Sequence, residues 1–394
     1  LKIIFLVDSN FSIREFERFG IYEMLNQQIS IYVFDFRFFK KDEEYLEESF
    51  EKNFSDNRVK NIKILDYSDP KSFYLDLLDG FVIDNRSKSY INFSTSWIKD
   101  SGAKLIELDQ GLIPTSIWKP SIYDLLVMAK NTFLIYGYKK LFNQTTIYVA
   151  NRFRSFFSIN ANHIYADIKV CSGLASKCNL GESEVRSHAF DYDIFLEQKN
   201  KTDKIIQEEY AVFLDSGIVS HPDSGRLGNL PAENNESYYP ALRAFFDDFE
   251  ERMKVKIVIA MHPRIVPSKD YIASFGGRKL ISKDTSMLVR NSKMVIAHNS
   301  TSINFAVLWK IPLLIITTTK IDRVDYNIMK SLEEIFNTKR ININKPYKDK
   351  DYIEISKGVV KYYESYKKFL IKVPNSPDLN SAKILIKSLK NYVE

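Results

Sequence analysis

The stretch from Val255 to Thr317 constrains the fold more than any other part of the chain. It reads VKIVIAMHPR, then a connecting stretch, then KMVIAHNSTSINFAVLWKIPLLIITT. Val255–Ala260 is short, unbroken and β-branched, which suits a strand buried on both faces of a parallel sheet. It runs into Met261-His262-Pro263-Arg264, where Pro263 has no N–H to offer a ladder and stops the strand. Met294–Ala297 is a second such run, ending in His298-Asn299-Ser300-Thr301-Ser302. Ile303–Trp309 takes helical spacing, and Pro312–Thr317 makes a third buried strand. Polar side chains thus gather at the carboxyl ends of consecutive strands, where open α/β sheets bind their ligands. Hydroxyls and backbone N–H groups at a helix start favour an anion. The expectation is a phosphate-binding crevice, with a nucleotide-sugar as the ligand class.

The same plan is legible earlier in the chain. Lys2–Val7, Ile29–Phe36, Val59–Leu65, Gly80–Ile83, Ala103–Leu108 and Ile164–Val170 read as strands, and Glu208–Leu214 opens a second series. Helical spacing separates them at Ser12–Asn26, Lys41–Asn53 and Lys71–Leu78. This β-α-β-α order argues for an α/β fold with parallel, doubly wound sheets. At 394 residues the chain has room for two domains, each with its own core. The expected boundaries are 1–185 for the first domain, with Val185–Gln198 as connector, and 186–373 for the second. A terminal helix in 374–394 should pack back on the first.

Candidate chemistry comes from the strand exits. His262 leaves its strand just before a turn-fixing proline, so its imidazole can donate to a phosphate oxygen and stabilise a departing nucleotide. The bland alternative is a histidine satisfied by backbone carbonyls. Ser300, Thr301 and Ser302 precede a helix; one hydroxyl suffices for an N-cap, and here three follow His298 and Asn299, which suits a phosphate or nucleotide. Asp109 stands at a strand exit two residues before Gly111, so its carboxylate can take a proton from an attacking hydroxyl. An Asx-turn ahead of glycine is the structural alternative. Glu107 lies on the same side of the strand, one pleat deeper. Ser216 and Gly217 end the first strand of the second half, where small residues permit close backbone approach to a ligand. His221 follows in the long loop Ser220–Asn235, and Arg264 and Gln110 complete the candidate set.

Composition narrows the classes. The net charge is +6, and the last fifty residues, with eleven lysines and six acids, carry +5 of it. That excess suits either an anionic surface or a solvated helix face. Phe133–Phe157 is dense in aromatic and basic residues, Arg152 and Arg154 among them, and reads as a core helix with basic ends or as an acceptor or membrane-facing surface. Only Cys171 and Cys178 occur, so no disulfide framework is expected and a reducing cytosolic setting is the default. No apolar run approaches the ~18–20 residues of a membrane span. No recognised nucleic-acid module is present, and G-x-G-x-x-G and P-loop fingerprints are missing. With no metal-ligand spacing, the expected chemistry uses no metal and no cofactor.

An acidic-x-Gly loop at Asp109-Gln110-Gly111, a His-Pro at His262-Pro263 and a Ser/Thr-Ser helix start at Ser300–Ser302 together resemble bacterial GT-B glycosyltransferases of surface polysaccharides. The pattern is similar to that of sialyltransferases and Kdo transferases that use CMP-activated sugars. The resemblance spans most of the chain, on motifs of two or three residues each. It implies two Rossmann-like domains facing across a cleft, the first taking a glycan or lipid-linked glycan acceptor and the second a nucleotide-sugar donor. It also implies Asp109 as base, His262 at the nucleotide phosphate, and Ser300, Thr301 and Ser302 as phosphate ligands. One departure is that Gln110 stands where the family often has a second acid. Capsule or lipopolysaccharide synthesis in the cytoplasm, peripheral at the inner face of the membrane, is the implied setting. A teichoic-acid-polymerase-like phosphotransferase using a CDP-polyol, a nucleotide-sugar epimerase and a non-catalytic assembly partner stay open beside it.

Overall fold

The computed structural model describes residues 1–8, 11–36, 57–63, 77, 79–86, 98, 100–114, 166–219, 234–263, 265, 267–321, 323–345 and 352–393. The helix expected at 41–53, nearly all of that at 71–78, and the aromatic–basic stretch 133–157 lie outside these residues. The chain divides into two compact units. One comprises 1–112, 163–197 and 368–394; the other comprises 113–162 and 198–367. Each is an α/β layer built on a wholly parallel sheet.

Among the described residues the first unit carries seven strands: β1 (Lys2–Val7), β2 (Ser30–Asp35), β3 (Val59–Lys63), β4 (Phe81–Asp84), β5 (Lys104–Asp109), β6 (Ile168–Cys171) and β7 (Ser183–Arg186). They lie in the order β3-β2-β1-β4-β5-β6-β7, all parallel. The order reverses direction between β1 and β4, which is the switch point of a Rossmann-type sheet. Helices α1 (Ile13–Phe19) and α2 (Ile21–Asn26) follow β1. A capping box starts α1: the Ser12 N–H donates to Glu15 Oε2 at 3.0 Å. Gly20, at φ 63°, links the two helices, a conformation that costs glycine nothing.

The segment expected to be a connector is part of this unit's core. Ser183–Arg186 is the edge strand β7, and α3 (Phe190–Gln198) follows it. Four-residue β7, with one acid, an arginine and only one buried position, lacks the apolar run by which strands are recognised. His188 is fully buried, its Nε2 2.7 Å from the Leu379 carbonyl. Asp193 accepts the Ser381 N–H at 2.7 Å. It thereby caps the helix Ser381–Val393, whose Ala382, Ile384, Leu385, Ile386 and Leu389 join the core with Phe5, Phe16 and Phe19. At about 1.5–3 kcal/mol per fully buried Leu or Ile, that helix face is a large share of what covers the sheet.

The second unit carries β8 (Tyr210–Leu214), β9 (Lys256–Ala260), β10 (Lys279–Ile281), β11 (Met294–Ala297), β12 (Leu313–Thr317) and β13 (Ile341–Asn342). Their order, β10-β9-β8-β11-β12-β13, repeats the first sheet's logic with the switch point between β8 and β11. The interposed helices are α4 (Asn235–Met253), α5 (Lys269–Ser274), α6 (Thr285–Asn291), α7 (Ile303–Trp309), α8 (Arg323–Phe336) and α9 (Tyr352–Val360). In α4, Tyr238, Leu242, Phe245, Phe246 and Phe249 face one side of the sheet at helical spacing. The stretch read as a simple connection between His262 and Met294 holds α5, β10 and α6. Helical spacing in the sequence predicts one helix from Tyr352 to Leu370; the structure divides it into α9, α10 (Tyr363–Tyr366) and a π turn at Lys367–Ile371. With these numbers the terminal helix Ser381–Val393 is α11.

The π turn leads the chain back to the first unit through backbone contacts. The N–H groups of Leu174 and Ala175 donate to the carbonyls of Lys368 and Phe369 at 3.1 and 2.9 Å, and Ala189 N–H donates to the Ile371 carbonyl at 2.8 Å. Gly173 makes this approach possible: a Cβ there would stand 2.2 Å from the Phe369 carbonyl oxygen. Gly358, on α9, has open space around it. Gly173→Ala should therefore cost about 1–3 kcal/mol by overpacking, whereas Gly358→Ala should be neutral or stabilising by up to about 1 kcal/mol. Paired thermal melts check this; a Gly173→Ala melt at or above wild type would refute the backbone clamp.

His298 also belongs to the core. It is 0% exposed, its Nε2 2.9 Å from the Tyr238 hydroxyl and its ring edge-on to Phe213. Burial lowers its pKa from 6.5 to about 3, the Ile316 backbone hydrogen bond opposing only in part. Because the folded value lies below the unfolded one, the unfolded chain binds more protons between them. Stability is complete above about pH 6.5 and falls by up to about 1.4 kcal/mol per pH unit below it. Urea midpoints at pH 7, 5.5 and 4.5 should drop more steeply for wild type than for His298→Gln; parallel slopes would remove His298 as the titrating group.

Candidate functional site

In the second unit, three adjacent strands end level with one another. Ala260 of β9 pairs with Leu214 of β8, and Leu214 pairs with Ala297 of β11. Parallel strands in that register deliver their next residues to one edge. Hence His262, Ser216–Gly217 and Asn299–Ser302 come from neighbouring strand exits that flank the switch point.

Local geometry shapes each exit. Asp215, 7% exposed, accepts the Gly217 N–H at 2.9 Å and the Tyr271 hydroxyl at 2.6 Å. This folds Asp215-Ser216-Gly217 into an Asx turn with Gly217 at φ 67°. Burial, with the Asp215 charge beside it, pushes the Tyr271 phenol well above its usual range, so Tyr271 remains a donor. Ser216 Oγ is buried and finds no hydrogen-bond partner among the described residues. After β11, Asn299 Nδ2 donates to Asp325 on α8, and Ser300 Oγ accepts the Ser302 N–H at 3.2 Å. Asn299, Ser300 and Ser302 are half-buried and Thr301 is exposed. His262 is half-buried, its carbonyl accepting the Ile265 N–H across the Pro263 turn at 3.0 Å.

The structure thus brings together His262, Ser216, Gly217, Asn299, Ser300, Thr301 and Ser302 at one sheet edge. His298 stands apart from that group: its side chain turns into the core between Tyr238 and Phe213, because it continues the inward face of β11. Arg264 and His221 lie outside the described residues.

In the first unit, β5 runs past the end of β4 and leaves a cavity of about 250 Å³ at the carboxyl edge. Glu107, Asp109 and Gly111 line it from β5 and its exit, Asp84 and Asn85 from β4, and Arg18 and Phe190 from α1 and α3. Arg18 lies over the Phe190 ring at 4.6 Å. Its Nη2 would be 3.3 Å from a Cβ at position 111, so glycine there leaves the guanidinium room. Asp109 Oδ2 accepts the Ser176 hydroxyl at 2.5 Å and lies 3.8 Å from Lys169 Nζ. Lys169 also pairs with Glu107 at 3.3 Å. Burial acts to lower the Lys169 pKa, but Glu107 and Asp109 outweigh it and the net shift is upward. Gln110 is directed away from the cavity, its Nε2 donating to the His188 carbonyl at 2.8 Å.

Several of these residues were not singled out by sequence. Asp215 had a signal, the Asp-x-Gly of an Asx turn. Lys169 had another, a lysine within the apolar run Ile164–Val170. Tyr271, Ser176, Arg18 and Phe190 had none, because their roles come from pairings dozens of residues distant.

No family model matches the sequence, and no curated protein matches it. Solved structures do match the fold over nearly the whole chain. One variant of the wall teichoic acid polymerase TagF is 11% identical with a TM-score of 0.54, covering 100% of this chain and 90% of that chain. Another TagF variant is 12% identical with a TM-score of 0.50, over the same shares. The glycotransferase of kitacinnamycin is 9% identical with a TM-score of 0.52, covering 98% of each chain. At such identities the likeness is one of fold: this chain is an α/β protein of two Rossmann-like units, GT-B-like in architecture.

Proposed function

We propose that this protein is a glycosyltransferase that moves a sugar from a nucleotide-activated donor to a glycan acceptor. The observation that carries the reading is the level ending of β9, β8 and β11. It gathers an imidazole, a glycine turn and three hydroxyls at a Rossmann switch point, where nucleotide ligands bind. In this reading the second unit takes the donor. His262 donates to the phosphate as the bond to the anomeric carbon breaks, and Ser300, Thr301 and Ser302 hold the other phosphate oxygens without a metal. Ser216 and Gly217 let the backbone come close to the nucleotide.

The first unit would take the acceptor in the cavity beside β5. Ser176 fixes Asp109 Oδ2, so Oδ1 is the atom that accepts the proton of the attacking hydroxyl. Glu107, with one oxygen on Lys169, is the alternate carboxylate. The resemblance to CMP-sugar enzymes favours a CMP-activated donor. A lipid-linked acceptor would bring the protein to an anionic membrane surface. No helix among the described residues is long and apolar enough to cross a membrane. Of the C-terminal lysines, Lys372 is committed to the Ser376 carbonyl and Asp378, and Lys383 to Glu23. Lys361 lies over the Tyr362 ring, while Lys357 and Lys387 are exposed and offer charge to such a surface.

Thermal shift against CMP, CDP, UDP and GDP should single out one nucleotide, with CMP expected; no stabilisation by any of them would favour a non-catalytic role. With the donor in hand, His262→Ala should lower turnover ~10²-fold or more, as loss of a transition-state donor does. Unchanged transfer would remove His262 from the mechanism. Product analysis should find a new glycosidic bond. A new phosphodiester would support instead a CDP-polyol phosphotransferase, the reading that the TagF fold likeness favours second, and isomerisation without acceptor would support an epimerase.

A further inference from the structure

Beside the candidate base lies a cluster that neither the nucleotide reading nor the acceptor reading uses. Three parallel strands set two rungs of side chains on one face of the sheet. Glu107 pairs in register with Lys169 and Lys169 with Glu184; Asp109 pairs with Cys171 and Cys171 with Arg186. In parallel strands, register partners point to the same face. The loop from β6 to β7 then brings Cys178 back over this face, and the two sulfurs stand 3.5 Å apart. One carboxylate oxygen of Glu184 joins them, the three donor atoms all lying within 4.8 Å of one another.

We propose that Cys171, Cys178 and Glu184 form a binding site for a zinc-class divalent cation. Two thiolates on one tetrahedral zinc, with zinc–sulfur bonds of about 2.3 Å, stand roughly 3.8 Å apart, close to the spacing seen here. Both cysteines are free thiols. Cys171 is buried at the end of β6, Cys178 is half-buried, and Glu184 reaches the surface, so the ion has a way in. Glu182 is not a fourth ligand, because its oxygens accept the Asn179 backbone N–H and side-chain amide at 2.6 and 2.9 Å. Water fills the fourth position. Two thiolates and a carboxylate around a dication leave one negative charge. Lys169 in the neighbouring rung and Arg186, which already pairs with Glu184, offset it. A disulfide would use the two sulfurs and leave Glu184 only its ion pair with Arg186.

Sequence spacing alone did not reveal this set, because the third donor comes from the next strand. The site also has a structural consequence. The loop it ties down carries Ser172 and Ser176, whose hydroxyls donate to the Asp109 carbonyl at 2.9 Å and to Asp109 Oδ2 at 2.5 Å. A bound ion would hold that loop, and with it Asp109, in one position. The inference stands independently of what Asp109 does.

The test uses the full chain, purified with a non-thiol reductant, stripped with chelator and titrated with Co²⁺. One equivalent should bind with thiolate-to-cobalt charge-transfer absorption, and Zn²⁺ should displace it. Cys178→Ser should abolish that absorption, and Glu184→Gln should weaken binding by more than ~10-fold, the low end for losing even an outer partner of a metal. Both substitutions are at accessible positions and spare the buried Cys171, and circular dichroism would verify that the variants fold. No absorption with the reduced wild type, or the same absorption in Cys178→Ser, would overturn the proposal. So would a reduced wild type that takes up no cobalt but loses two hydrogens in mass on exchange with oxidised glutathione, which would make the pair a disulfide couple.

Discussion

A parallel sheet buried on both faces leaves its strands only one place to put chemistry. The interior of β8 and β11 is entirely apolar, and a polar side chain there would have to be desolvated without water to replace its partners. Function is therefore expelled to the strand ends, and register decides which ends meet. In the second unit, Ala260, Leu214 and Ala297 are aligned, so residues that are remote in sequence arrive at a common edge. In the first unit the strands are uneven. Because β5 outruns β4, its last residues form a wall rather than a rim, and the cavity beside them results from that difference in length.

This constraint explains how much could be read without a structure. Each buried strand announces itself by an unbroken β-branched run, and the residues at its exit must be polar. The position of His262, Ser216 and Ser300–Ser302 at strand exits was legible for that reason alone. The same logic misjudged His298, since the residue directly after a strand can still continue its inward face. Polarity at a strand exit says that an edge has been reached but not which way the first side chain turns. Strand β7 and strand β10 escaped notice because short edge strands with charged residues carry neither an apolar run nor clean alternation. The π turn at Lys367–Ile371 was hidden inside a helical pattern for a related reason: a one-residue shift in hydrogen bonding barely alters apolar spacing.

Partners across long separations were the larger blind spot. The environment of Asp109 depends on Lys169 and Ser176, more than fifty residues away, and that of Asp215 on Tyr271. Neither pairing leaves a trace in local composition. Even so, a lysine inside an apolar strand is a costly residue that requires a carboxylate close by, and Lys169 with Glu107 and Asp109 is such a case. A charged residue out of place in a strand is thus a pointer to neighbours that the sequence does not identify.

The return of the chain through the π turn has a consequence for how the protein comes into being. Domains ordinarily fold in the order in which they are synthesised. Here α11 supplies five core side chains to a sheet whose first strand is β1, and the cap on that helix, Asp193, was made nearly two hundred residues before it. Until residues 381–393 have left the ribosome, α2 and β7, against which α11 packs, lack that cover. The six strands described in the second unit all come from one run, 198–367. The first unit is therefore begun first and finished later than the second, and its sheet stays without its last helix while the second unit's strands are already made.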